Sequence, residues 1–487
     1  MSNLPDAQNN PSNSNESNLR DAQPSESEAA SSSPSSSERL SYHGSSPDEP
    51  QDGQVDRFDH WILMPLLDVV ENSPSQTGAI PVTYPEQRIG SSPADLDQMI
   101  PAQPSFMPRL DQTRFAIFGH YIQTTANSMA NGATSSNPFL VQLLPLAVSS
   151  DLVLESILAQ SCVHRAVRAR SETESEAIVL YNKCLRSLRT AIGNTSTPES
   201  VDPLALTVSM LVLCFTETAR GDVNGTIFYH LQAANSLLPR LLTLNYRLPK
   251  DLRDFLVEYY IYTSTSSIIS HDPQASLHDL LCDQLLQEGQ HLADSGYIGS
   301  LCGCWLELLL FIPRIFKLRQ HWITRGIQNT TPDLVVEFSN IQSQLTQWEP
   351  KLHVTSPVAL AGQLFRQSML LYLHTILGKP SLGWENAHAA TIQVAVTSAL
   401  LCLEQLEATN QINTSLCWPI AVVGSCALCP QQRQSISNRL GVMAEAIGLG
   451  NITKTLEVLE CMWLQEKAGP WEIFTTMEEA GIWISFA

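Results

Sequence analysis

From Pro108 to the last residue, apolar side chains recur at helical spacing in segment after segment, and no stretch alternates apolar and polar residues between hairpin turns. A chain patterned this way has one architecture open to it, helices packed on helices around a shared core. In "DLVLESILAQSCVHRAVRAR" (151–170), Leu152, Leu154, Ile157, Leu158 and Cys162 fall on one face, and Asp151 is placed to cap the start. "SETESEAIVLYNKCLRSLRTAI" (171–192) continues the pattern through Ile178, Leu180, Leu185, Leu188 and Ile192. "DPLALTVSMLVLCFTETARGD" sets a proline at a helix start and a Gly-Asp stop at 221–222, and "FYHLQAANSLLPRLL" reads as the next helix. Further helices are predicted over 299–325, 331–348, 357–378, 386–409, 412–429, 431–447, 450–466 and 470–480. The expected fold of residues 106–487 is therefore all-α, a multi-helix bundle of antiparallel helix pairs. No fixed repeat period is visible, which argues against a regular solenoid.

Residues 1–105 are of another kind. The first fifty hold fifteen serines and six prolines, and residues 1–105 carry sixteen acids, four arginines and no lysine. Such a composition buries too little apolar surface to offset backbone ordering, so this region is expected to be a disordered, acidic, Ser/Pro-rich stretch. One segment inside it differs, "VDRFDHWILMPLLDVVE" at 55–71. Phe58, Trp61, Leu63, Leu66 and Leu67 stand there among Asp56, Asp59, Asp68 and Glu71. Acids keep such a segment solvated while its apolar side chains stay available to a groove, either on a co-activator or on the chain's own folded part.

The formal net charge of −20 disfavours nonspecific attraction to DNA or to anionic membranes. No apolar run reaches the roughly 18 residues a membrane span needs, so no membrane role is expected. The chain opens without an apolar signal region, so its cysteines are expected to be reduced thiols. Cys417, Cys426 and Cys429 cluster in "SLCWPIAVVGSCALCP", but a structural zinc needs four ligands and no histidine lies near. They are expected to behave as small hydrophobes on one buried helix, as are Cys302 and Cys304. A zinc binuclear DNA-binding cluster would need six cysteines among basic residues, yet the first cysteine is Cys162 and the first lysine Lys183. None of the common nucleotide-binding, metalloprotease or serine-hydrolase motifs occurs, so neither an enzyme nor a cofactor is expected. His164, His230 and His374 sit among apolar residues and read as core histidines. The basic run from Arg165 to Arg189 is interrupted by Glu172, Glu174 and Glu176 and reads as a solvated helix face.

Taken in order, several stretches resemble the fungal-specific transcription factor domain of the second type, the regulatory region of zinc-binuclear-cluster regulators. "HYIQTTANSMANGATSSNPFLVQLLPLAVSSDLVLESILAQSCVHRA" is similar to its opening, and "DPLALTVSMLVLCFTETARGDVNGTIFYHLQAANSLL" to its next helix pair, with His230 at the matching histidine. "LLYLHTILGKPS" supplies His374, Gly378 and Pro380, and "CWPIAVVGSCALCPQQRQSISNRL" supplies Trp418, Pro419 and Gly424. "PWEIFTTMEEAGIWISF" fits the ending. The resemblance implies a nuclear transcriptional regulator, often of a metabolic or secondary-metabolite gene cluster. It implies partners among other regulators or co-activators, as a homo- or heterodimer, with a small-molecule effector as a further option. Without the zinc cluster, DNA would be reached only indirectly, through a partner. The alternative is a helical small-molecule-binding protein with no role in transcription. Its cavity would lie between helices, lined by Trp305, Phe311, Phe316 and Trp322, residues that plain core packing would also account for.

Overall fold

The computed structural model describes residues 110–169, 174–193, 202–221, 224–243, 248–325, 331–350, 356–381 and 387–487. The segment at 55–71, with Phe58, Trp61, Leu63, Leu66 and Leu67, lies outside them. All the described residues belong to one unit, Arg57–Ala487. They are helical throughout, with no strand among them and a single isolated bridge between Gly299 and Gly303.

Asp111 opens the first helix, its side chain accepting from Arg114 N at 2.8 Å. That helix is α1 (Gln112–His120), a π-helical turn (Tyr121–Thr125) and α2 (Ala126–Met129) in succession. α3 (Pro138–Val141) is capped by Asn137 and leads to α4 (Leu143–Ser149). α5 (Asp151–Ala169) packs on α4, on α6 (Glu174–Gly193) and on α7 (Pro203–Arg220). Asp151 stands in the first turn of α5 rather than at its cap. On α6, Leu185, Leu188 and Ile192 are buried, but Ile178 is 49% exposed, so the buried stripe is narrower than the periodicity predicts.

α7 follows its sequence signals closely. Asp202 caps it, Pro203 opens it, and Gly221 ends it in the left-handed region at φ 67°. Every residue from Leu204 to Ala219 is buried, which makes α7 a central strut. α8 (Ile227–Thr243) lies against it, and α9 (Lys250–Ser267) is buried along almost its whole length. α10 (Asp283–Asp294) completes this half.

The helix predicted from residue 299 does not form there. The buried carboxylate of Glu258 on α9 accepts from Leu301 N and Cys302 N, both at 2.7 Å, and from the Tyr297 hydroxyl at 2.8 Å. Those backbone donors are thereby taken from any helix, and Gly303 at φ 49° turns the chain. Cys302 and Cys304 lie in this loop, not on a helix. Helix resumes only at α11 (Leu306–Leu309) and α12 (Phe311–Arg325).

α13 (Pro332–Gln347), α14 (Ser356–His374) and α15 (Ala387–Gln405) follow, with α14 packed on both neighbours. α16 (Cys417–Ser425) is buried at every residue and packs on α14 and on α18 (Gly450–Leu464). α17 (Pro430–Ile447) pairs with α18, and α19 (Ile473–Ala480) closes the helical order. After it the chain runs extended into the core, where Ile484, Ser485, Phe486 and Ala487 are all buried. Ser485 Oγ meets Ser267 Oγ at 2.8 Å, and Asn451 Nδ2 donates to Ala487 O at 2.7 Å.

Two helices, α7 and α15, are long and apolar enough to cross a membrane, contrary to the expectation that no run reaches that length. α7 uses its apolarity inside the core. α15 is different, since Val394 and Leu401 on its outer face are 57% and 51% exposed.

Candidate functional site

The cysteine-rich stretch is divided between two helices rather than carried on one. Cys417 begins α16, Cys426 ends it, and Cys429 precedes α17 as its cap. The helix stops at Ser425 because its last carbonyls turn to other donors, with Trp463 Nε1 giving to Gly424 O at 3.0 Å and Gly469 N to Ser425 O at 2.8 Å. Cys417 Sγ lies 3.0 Å from Thr455 Oγ1, and burial pushes the Cys417 and Cys426 thiols up to about 12. Thiols so protonated are poor nucleophiles and poor metal ligands at neutral pH. All eleven cysteines are free, and among the described residues no group of three or more His, Cys, Asp or Glu side chains is placed to hold a metal.

Trp418 is fully buried at the middle of an aromatic stack. Trp305 stacks on Phe365 at 4.9 Å between ring centres, and Phe365 on Trp418 at 6.2 Å. Tyr372 meets Trp418 edge-on at 5.7 Å and stacks on Trp471 at 4.3 Å. The Arg319 guanidinium covers Trp471 at 5.6 Å. The stack thus ties the 297–305 loop, α14, α16 and the turn before α19 (Pro470–Glu472) together, and α12 closes its outer end. Trp305 and Phe316 pack into this stack or against it, and Phe311 lies under Arg314. A small void lies elsewhere, between Met129, Tyr262, Leu449 and Ala487, with room for about one water.

The other family-matching positions gather around the same helices. Gly424 presses on α18 so closely that a Cβ there would lie 2.6 Å from Leu459 Cδ1. Pro419 is buried beside Trp418, and its carbonyl accepts from Ser368 Oγ on α14 at 3.2 Å. His374 ends α14 between Phe338 and His388, at ring distances of 5.8 and 5.7 Å. Pro380 packs on Gly469, whose φ of 100° lets its N–H reach Ser425 O. A Cβ at Gly378 would meet only an ordinary contact with His388, so space does not explain that glycine.

His230 belongs to a different cluster. It lies on α8 with Nε2 3.9 Å from Glu217 Oε1 on α7, and Glu217 also accepts from the Tyr181 hydroxyl on α6 and from Arg220 Nη1 at 3.2 Å. A buried carboxylate shared in this way pins three helices. Glu217 and Glu258 were missed in the sequence, although each is a lone acid inside an apolar helical run, "LCFTETAR" and "FLVEYYIY". Burial raises the Glu258 pKa against the pull of its hydrogen-bond donors. Glu258→Ala would release the 297–305 loop and leave two buried N–H groups unpaired. It is expected to cost about 3 kcal/mol or more in urea unfolding.

His164 is buried between Thr125 Oγ1, at 3.1 Å from Nδ1, and Ile447 O, at 3.0 Å from Nε2. A carbonyl only accepts, so Nε2 carries the proton and Nδ1 accepts from the threonine hydroxyl. Burial favours the neutral ring over the cation. Burial lowers His164 to about 4, and His374 likewise to about 4. In the unfolded chain both take up protons below about 6.5, so stability is full above that pH and falls as pH drops toward 4. Each is expected to remove up to about 3 kcal/mol across that window. Urea midpoints measured from pH 7 to pH 4.5 should fall steadily, and less steeply in His374→Phe; equal slopes would contradict the assignment.

The cysteines and histidines named above are buried or half-buried within this helical domain. The family model of the fungal specific transcription factor domain matches residues 116–487, and the chain belongs to that family. Over 161 residues it is 26% identical to the transcriptional activator protein UGA3 of Saccharomyces cerevisiae. That match covers 31% of this chain and 30% of the relative, so the chain spans under a third of the relative's length. No solved structure matches the chain.

Proposed function

We propose that this protein is a fungal transcriptional regulator that works through protein contacts in the nucleus, controlling genes of a metabolic or secondary-metabolite pathway. The observation that carries this reading is the family match along the whole helical domain. The partial likeness to a transcriptional activator supports it. The helical domain serves as the scaffold for pairing with other regulators and for sensing an effector. The segment at 55–71 contacts co-activators through Phe58, Trp61, Leu63, Leu66 and Leu67.

The test is reporter transcription with the full chain fused to a heterologous DNA-binding domain, compared with the same fusion lacking residues 1–105. Activation that disappears on deletion supports the reading. A reporter silent in both forms, in a host supplying the natural partners, removes the activator function.

A further inference from the structure

Among the described residues, the outer face of α15 has no partner. From Ala387 to Leu403 the helix holds no Asp, Glu, Lys or Arg. Ile392, Val396, Ala399 and Leu403 are buried on its inner side, while Thr391, Val394, Thr397 and Leu401 are exposed at helical spacing. On a chain of net charge −20 this is a stripe where an acidic ligand meets no like charge. Arg366 of α14 lies beside this helix, and Arg439 of α17 reaches its C-terminal end, donating to Leu403 O and, at 2.8 Å, to Leu406 O. Burial raises the thiol pKa of Cys402 on α15, and Arg366 lies close enough to pull it back. Arg366 Nη1 donates to the neutral amide of Gln363 at 3.1 Å, and its buried Nε has no partner.

The size of the face limits what can cover it. A helix of 19 residues is about 28 Å long and offers roughly 300–400 Å² on one side. A stable dimer needs about 800 Å² from each partner, so a second copy would be held too weakly by this face. A short tethered segment does not face that limit, because its effective concentration reaches roughly millimolar. The chain carries such a segment. Trp61, Ile62, Leu63, Leu66 and Leu67 are apolar, and Asp59, Asp68 and Glu71 flank them with charge opposite to that of Arg366. Residues 72–109 between it and the described domain reach up to about 125 Å when extended. The domain's first helix also lies beside the chain that follows α15, with Gln411 Nε2 donating to Asn127 O at 2.9 Å.

We propose that the face of α15 around Val394 and Leu401 docks the chain's own segment Trp61–Leu67 and so hides it from co-activators. The inference rests on the reading of that segment as an activation segment. Docking of this kind would keep the regulator silent until a partner or effector displaces the segment.

The test uses the full chain with Trp61 replaced by the photoreactive p-benzoylphenylalanine. Irradiation is expected to give cross-links within one chain, mapping to residues 387–405, with a yield independent of protein concentration. Val394→Glu with Leu401→Glu changes only exposed side chains and should leave the melting temperature in place. It is expected to cut the cross-link yield about tenfold and raise reporter output about fivefold or more, as the hidden population is released. Cross-links between two chains, cross-links elsewhere on the domain, or none at all would overturn the proposal. So would binding of the full chain to anionic lipid vesicles that the double substitution abolishes, since the face would then belong to a membrane. Cross-links at α15 with a silent reporter would leave the dock standing and remove the activation reading. Activation indifferent to the double substitution would do the reverse.

Discussion

Gly450→Ala is expected to destabilise this protein by about 3 kcal/mol or more, among the largest effects of any one-carbon change in the chain. A Cβ at Gly450 would lie 2.6 Å from both C and O of Arg220 and 2.7 Å from Gly221 N. All of these are backbone atoms, which cannot rotate aside as a flexible side chain would. The contact is reciprocal, since a Cβ at Gly221 would sit 2.8 Å from Gly450 C. The end of α7 therefore touches the beginning of α18 backbone to backbone, and a methyl group at either place must push two central helices apart. Gly441→Ala is the internal comparison. It lies within α17 with nothing within 4 Å of its Cβ position, and should gain about 0.5–1 kcal/mol from helix propensity. Urea unfolding of the two variants should move their midpoints in opposite directions. Equal midpoints would show that the helix ends do not meet this closely.

Trp418→Ala is the second. It empties the centre of the aromatic stack and strips a fully buried indole from α16, a loss of about 3–5 kcal/mol. Trp418→Phe keeps a ring against Phe365 and Tyr372. It also removes the indole N–H, which is buried without a partner. The phenylalanine variant is therefore expected to lose far less, about 1 kcal/mol, since its smaller void is offset by an unsatisfied donor removed. Thermal melts of both variants separate the two contributions. Equal losses would mean that the indole N–H has a partner, or that the ring's shape rather than its stacking holds α16.

The helical class, and most helix positions, could be read in the sequence because apolar spacing reports directly on which face is buried. Asp202, Pro203 and Gly221 bound α7 where their chemistry predicts. The errors share one cause, competition from partners distant in sequence. Nothing local to Leu301 and Cys302 reveals that Glu258, more than forty residues earlier, takes their N–H groups and unwinds the expected helix. The exposure of Ile178 is likewise set by which neighbours α6 has, and no period within one helix encodes that. Gly221 could be read as a helix stop. That it also leaves room for Gly450 could not. The site is less legible still, because Tyr372 stacks on Trp471 and Pro380 meets α16 through Gly469, residues that follow them in the chain by about ninety or more positions.

The tail after α19 bears on how the domain is made. Ile484, Phe486 and Ala487 fill a slot reached by Ser267 of α9 and Asn451 of α18, across sequence separations of 218 and 36 residues. During synthesis, at about 5–20 residues per second, the earlier helices emerge and collapse before the pieces that seal them exist. The apolar slot stays open to water and to other nascent chains until residues 484–487 have been made.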